Sequence, residues 1–153
     1  MRVGDPGDTS ARGRRIPYAV IRAARILVVD DNETLRTLVA QALESEGYVA
    51  IAADSGEAAL EVARFAPPDL CVVDYIMPGM NGADLVRALR ASTDERLRRV
   101  PAIGLSGYAE AERAMLEAGA TAWMRKPVAY GPLLEHVGRM LAPQLLSVQE
   151  LLE

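Results

Sequence analysis

Five polar side chains stand where short apolar runs end. Asp30 and Asp31 close Ile26-Leu27-Val28-Val29, Asp74 closes Leu70-Cys71-Val72-Val73, Ser106 closes Ile103-Gly104-Leu105, and Lys126 comes shortly after Thr121-Ala122-Trp123-Met124. Such continuous apolar runs fit strands buried on both faces of a parallel sheet. In an open α/β sheet the carboxyl ends of the strands share one rim, and that rim is where ligands bind. A lone strand-end Asp can equally cap the following turn. After Asp74, however, Pro78, Gly79, Asn81 and Gly82 favour turns and hold the carboxylate at the rim. Carboxylates a few ångströms apart repel by about 4 kcal/mol per close pair at an intermediate dielectric. Such a cluster asks for a cation, and all-oxygen ligands suit a hard divalent ion, with Mg²⁺ the usual choice beside a phosphate.

The elements that must position these groups alternate. The strand at Arg25–Val29 is followed by Leu35, Leu38, Val39, Ala42 and Leu43, the stripe of an amphipathic helix with Asn32 as cap and Gly47 as stop. Tyr48–Ala53 reads as a second strand. Asp54-x-x-Glu57 resembles a capping box opening a helix that runs to Phe65, before Pro67 and Pro68. The strand ending in Asp74 comes next, then a helix from about Ala83 to Ala91. The charged stretch Asp94 to Arg99 reads as a solvated turn, Pro101–Leu105 as a strand, and Ala111 to Ala118 as a short helix stopped by Gly119. Thr121–Met124 is the fifth strand. Leu133, Leu134, Val137, Met140 and Leu141 mark a last helix, broken at Pro143, and the tail 143–153 carries Leu at helical spacing. Five strands alternating with five helices predict a doubly wound parallel sheet covered on both faces.

The chain has 153 residues, half of them hydrophobic and 25% charged, enough for one domain with its own core. A net charge of −4 argues against nucleic acid as the main partner. The single Cys71 lies inside an apolar run, which excludes a disulfide or zinc framework. Arg14-Arg15 superficially suggests a secretion signal, but Arg22 and Arg25 interrupt the apolar segment after it, and no run reaches membrane-spanning length. These features predict a cytoplasmic protein with a flexible basic arm over 1–24, one domain over 25–142 and a tail that could pack on the domain or join two copies into a homodimer.

"ILVVDDN" at 26–32, "VVDYIMPGMNG" around Asp74, "GLSGYA" around Ser106 and "GATAWMRKP" ending in Lys126-Pro127 together resemble the receiver domain of two-component response regulators. The resemblance spans about Arg25 to Leu141. It implies the flavodoxin-like receiver fold with strand order 2-1-3-4-5. By it, Asp74 is the phosphoacceptor, supplied by a sensor histidine kinase or a histidine phosphotransfer protein. Asp31 and Asp74, with the backbone carbonyl of Ile76, hold Mg²⁺, while Asp30 acts mainly through the ion's waters. Ser106 and Lys126 grip the phosphoryl oxygens. Metal and Lys supply fixed positive charge where phosphoryl transfer develops negative charge. Lys126 is also the only Lys among 17 basic residues. The resemblance makes Ser106 and Trp123 the switch pair, where Tyr or Phe is more usual than Trp, and makes the last strand with its flanking helices the surface for a downstream protein. Ile76 and Tyr108 lack a carboxylate or amide to orient an attacking water, which predicts slow self-dephosphorylation; Gly107 leaves the entrance open to a phosphodonor.

The segment after Leu141 is too short for a helix-turn-helix module, so no DNA-binding domain is expected and the output is protein contact. The expected function is a single-domain response regulator, not an enzyme beyond its own phosphorylation and dephosphorylation. The alternative is a pseudo-receiver acting as a constitutive docking or dimerisation module. A phosphatase of the haloacid-dehalogenase type wants a second Asp two residues after the first, where this chain has Ile76. His136, the only His, lacks the context of a phosphohistidine.

Overall fold

A computed structural model describes residues 23–152. In chain order the elements are β1 (Arg25–Val29), α1 (Glu33–Ser45), β2 (Val49–Ala53), α2 (Gly56–Phe65), β3 (Leu70–Asp74), α3 (Gly82–Arg90), α4 (Glu95–Arg99), β4 (Ala102–Ser106), α5 (Glu110–Ala118), β5 (Ala122–Arg125) and α6 (Tyr130–Leu152). The strands form one parallel sheet in the order β2-β1-β3-β4-β5. Apart from residues 23 and 24, the expected basic arm lies outside the described residues.

Strand alternation sorts the core into two layers. Leu27, Val29, Cys71, Val73 and Ala102 pack against α2, α3, α4 and α5 on one face. Ile26, Val28, Leu70, Val72, Ile103 and Leu105 pack against α1 and α6 on the other. Because β1, β3 and β4 are covered on both sides, their runs are apolar at nearly every position. Burial also makes Cys71 inert: its thiol is pushed up to about 12.

The helix ends obey local chemistry. Asn32 caps α1 by accepting the Leu35 N–H at 3.0 Å, and Gly47 (φ 86) turns the chain away after it. Gly119 ends α5 in the left-handed conformation at φ 110. Asn81 and Asp84 exchange side chain to backbone bonds across the start of α3.

Three sequence expectations change. The cap of α2 is Ser55 rather than Asp54, its hydroxyl accepting the Ala58 N–H at 3.1 Å. The stretch read as a solvated turn is the helix α4, making six helices among the described residues. Its acids and bases dress the outside, Asp94 caps it and Leu97 is buried beneath it. Pro143 does not break the last helix, which runs on to Leu152. A proline removes one backbone donor from the helix ladder, and strong helix formers on both sides (Leu141, Ala142, Gln144, Leu145) carry the helix past it.

Arg90, at the end of α3, ties this half of the domain together. Its Nε donates to the Gly119 carbonyl at 3.0 Å, and one guanidinium nitrogen reaches the carbonyls of Leu97 at 3.4 Å and Arg98 at 3.2 Å. One planar group thus satisfies carbonyls at the ends of α4 and α5, which an ammonium is too compact to do. Arg90→Ala is expected to lower stability by about 2 kcal/mol in urea unfolding, with Arg90→Lys recovering less than half of the loss.

Candidate functional site

Parallel strands deliver their last residues to one edge. Asp30 lies one residue past β1, Asp74 ends β3, Ser106 ends β4 and Lys126 lies one residue past β5. The structure brings Asp30, Asp74 and Lys126 into contact, with Ser106 at the end of the strand beside Asp74. Lys126 Nζ stands 3.1 Å from Asp30 Oδ2 and 3.1 Å from Asp74 Oδ1. Asp30, Asp31 and Asp74 each offer a carboxylate oxygen within 4.8 Å of the others.

The environments of the three carboxylates differ. Asp30 is buried and committed on both oxygens, one to Lys126 and the other to the Asn32 N–H at 2.9 Å. Asp31 is exposed, and no donor among the described residues engages it. Asp74 is buried, and its carboxyl is pushed up to about 6, first by burial and then by the negative charge of Asp30, against the pull of Lys126. For Lys126, burial disfavours the charged form, but the bond to Asp30 and the charge of Asp74 outweigh it, so the ammonium holds its proton above the usual value. Three carboxylates against one ammonium leave a net charge of −2, which a divalent cation cancels. The donor set and the rise at Asp74 both fit such an ion.

Ser106 and Trp123 share a face of the sheet. Trp123 lies opposite Gly104 in the β4–β5 ladder, one alternation below the Ser106–Arg125 pair. Gly104 has no side chain to fill that face, and a Cβ there would come within 2.7 Å of Met115 Cε. The indole Nε1 of Trp123 is buried without a hydrogen-bond partner among the described residues. The Ser106 hydroxyl accepts the Tyr108 N–H at 3.1 Å, and its carbonyl accepts the Lys126 N–H at 2.8 Å, stitching β4 to the strand bearing the ammonium. At the mouth, Ile76 and Tyr108 are 52% and 60% exposed. A side chain at Gly107 would enter open space. His136 lies on α6 beside Arg139, apart from these groups.

Two contributions are not readable from the sequence, where Arg36 carries no signal and Gly82 reads only as a turn former. Arg36 on α1 donates to the Asp30 carbonyl at 2.8 Å. Gly82 permits the β3–α3 loop to cross Asp74, since a Cβ there would collide with the Asp74 carbonyl oxygen. Only the three-dimensional crossing reveals either requirement. Beside the site, a groove of about 370 Å³ runs from Asp30 and Lys126 between α1 and α6, floored by Leu35, Val39, Leu105 and Val128.

A doubly wound parallel sheet with an acidic cluster and a lysine at its carboxyl rim defines the class of protein. The family model of the response regulator receiver domain matches residues 26–138. The chain belongs to that family and is a receiver domain of two-component signalling. It is 36% identical over 119 residues to the chemotaxis protein CheY of Pseudomonas aeruginosa, covering 76% of this chain and 94% of the relative. It is 34% identical over 139 residues to the sensory/regulatory protein RpfC of Xanthomonas campestris, covering 86% of this chain but only 19% of the relative. The crystal structure of CheY4 from Vibrio cholerae superposes with a TM-score of 0.72 at 31% identity, covering 78% of this chain and all of that one. The pseudo-receiver alternative finds no support in these likenesses. Receiver domains are in general signalling modules rather than enzymes. Among the described residues no helix is long and apolar enough to cross a membrane.

The electrostatics make a test possible without any ligand. Folded Asp74 holds its proton more tightly than the unfolded residue, so its contribution to stability falls as pH rises from 3.8 to about 6. In metal-free buffer at neutral pH, Asp74→Asn is therefore expected to raise stability by about 1–2 kcal/mol in denaturant unfolding, with the gain shrinking toward pH 4.

Proposed function

We propose that this chain is a single-domain response regulator whose Asp74 accepts a phosphoryl group from a sensor histidine kinase or histidine phosphotransfer protein. The observation that carries the reading is Lys126 Nζ, set 3.1 Å from both Asp30 and Asp74 at the rim of the sheet. A carboxylate oxygen of Asp74 forms the new bond to phosphorus while the phosphorus–nitrogen bond of the donor breaks, its electron pair leaving with the imidazole. No general base is required, because the acceptor is already a carboxylate at neutral pH. Lys126, beside that acceptor, faces the equatorial oxygens on which charge develops.

Asp31 and Asp74, with the Ile76 carbonyl, are the residues that would hold Mg²⁺, and Asp30, already bound by Lys126 and Asn32, would act through its waters. The ion supplies positive charge that neutralises the acids and the incoming phosphoryl group. Phosphorylation would offer the Ser106 hydroxyl stronger acceptors than its present place beside the Tyr108 N–H, with Trp123 on the same sheet face to report the move. The output is a protein partner that reads β5 with α5 and the first turns of α6, in the cytoplasm.

Trp123, the only Trp, provides the test. Mg²⁺ followed by beryllofluoride is expected to change its fluorescence in the wild type and to leave Asp74→Ala unchanged. No change in the wild type, or the same change in the variant, overturns the reading. Lifetime is a separate test. The bulky side chains of Ile76 and Tyr108 over the mouth are expected to let the acyl phosphate persist for minutes or longer in Mg²⁺; decay within a few seconds contradicts this.

A further inference from the structure

Glu57 has an unusual allegiance. It stands at the second position of α2, where an acid complements the helix dipole, and the sequence pairs it with Asp54 in a capping box. Ser55 caps the helix instead, which leaves the Glu57 carboxylate unused by its own helix. Its Oε1 reaches across to accept the N–H of Met80 at 3.0 Å, 23 residues along the chain. Met80 belongs to the loop between β3 and α3, the loop that leaves Asp74 and carries Ile76.

The contact is shaped from both sides. Gly79 turns the chain with φ 75, and a Cβ there would stand 3.0 Å from Glu57 Oε1. Gly56 lets the Met80 side chain lie on the start of α2, since a Cβ there would come within 2.9 Å of both Met80 Cγ and Sδ. Met80 is thus held by its backbone through Glu57 and by its side chain through Gly56. The far end of the loop is pinned separately, by the Gly82 N–H donating to the Tyr75 carbonyl at 2.8 Å and by the Asn81–Asp84 cap. Ile76 lies between these fastenings, and its own side chain, half exposed, supplies little anchorage.

We propose that Glu57 is a positioning residue for the Mg²⁺ site: by holding the Met80 N–H it fixes the β3–α3 loop in the conformation that presents the Ile76 carbonyl. The inference rests on the reading of the rim as a Mg²⁺-dependent phosphoacceptor. A loop that is only fractionally in the competent conformation binds its ion more weakly by that fraction. Glu57 touches neither the ion nor the phosphoryl group, so its effect comes entirely through the loop.

The experiment is a calorimetric Mg²⁺ titration of the full chain, paired with hydrogen exchange at the Met80 amide in metal-free buffer. Glu57→Ala is expected to weaken Mg²⁺ binding about three- to tenfold and to speed exchange at Met80 by a similar factor. Glu57→Gln keeps a carbonyl acceptor at the same place and is expected to stay within about twofold of wild type on both readouts. Glu61→Gln, one turn further along the exposed side of α2, removes an equal charge and is expected to leave both unchanged. Wild-type affinity in Glu57→Ala with a fast-exchanging Met80 amide overturns the latch alone. So does an equal loss in Glu57→Gln or Glu61→Gln, which assigns the effect to charge. A wild-type chain that takes up no Mg²⁺ overturns the underlying reading and the latch with it.

Discussion

One ammonium between two carboxylates governs the design of this domain. Lys126 Nζ is equidistant from Asp30 and Asp74, and it comes from the opposite side of β3 and β4 from the strand that delivers Asp30. Without it, buried acids from β1 and β3 would repel one another across a poorly solvated rim. With it, one acid is neutralised in effect and the second remains under-compensated, so burial first and the Asp30 charge second still push the Asp74 carboxyl up to about 6. The site is neither a satisfied salt bridge nor an unsupported charge. It is short of positive charge by the amount a divalent ion supplies.

That arrangement depends on sheet order. Placing β3 between β1 and β4 puts Asp74 beside both the Asp30–Asp31 pair and Ser106, and placing β5 outside β4 leaves Lys126 to reach inward over the rim. Alternation then separates the tasks. Asp74 shares strand parity with Leu70 and Val72 and belongs to the α1–α6 side. Ser106 shares it with Ala102 and Gly104 and belongs with Trp123 to the α5 side. The two sides of β4 therefore approach each other at the strand's end, where Ser106 follows the residue paired with Asp74.

Residues whose role is local were legible in the sequence. Asp30, Asp74 and Lys126 announce themselves because a charge that terminates an apolar run must leave the core at the strand's end, and Asn32 and Gly119 because caps obey short-range rules. Where two local rules compete, the sequence is ambiguous: Asp54 and Ser55 are adjacent and both can cap, and only the backbone decides between them. The helix α4 was hidden because Asp94, Glu95, Arg96, Arg98 and Arg99 surround its single buried side chain, Leu97, and the element it packs against, α3, is brought to it by the fold. For the same reason Arg36 gave no signal, and Gly82 and Glu57 were legible only as a turn former and a capping acid. Each acts on a segment brought to it by the fold, and no spacing in the chain records the meeting.

Trp123 and Ser106 carry few polar restraints among the described residues. The Nε1 donor of Trp123 is buried with no acceptor among the described residues, a condition that costs about 1–3 kcal/mol. The residue paired with Trp123 in the ladder is Gly104, over which the Met115 side chain lies. Ser106, at the next position on that face, is held only by a neutral bond from Tyr108, worth about 1 kcal/mol net. A phosphoryl oxygen would bind the same hydroxyl with a charge-assisted bond about twice as strong. Neither Ser106 nor Trp123 is locked by a strong polar bond among the described residues.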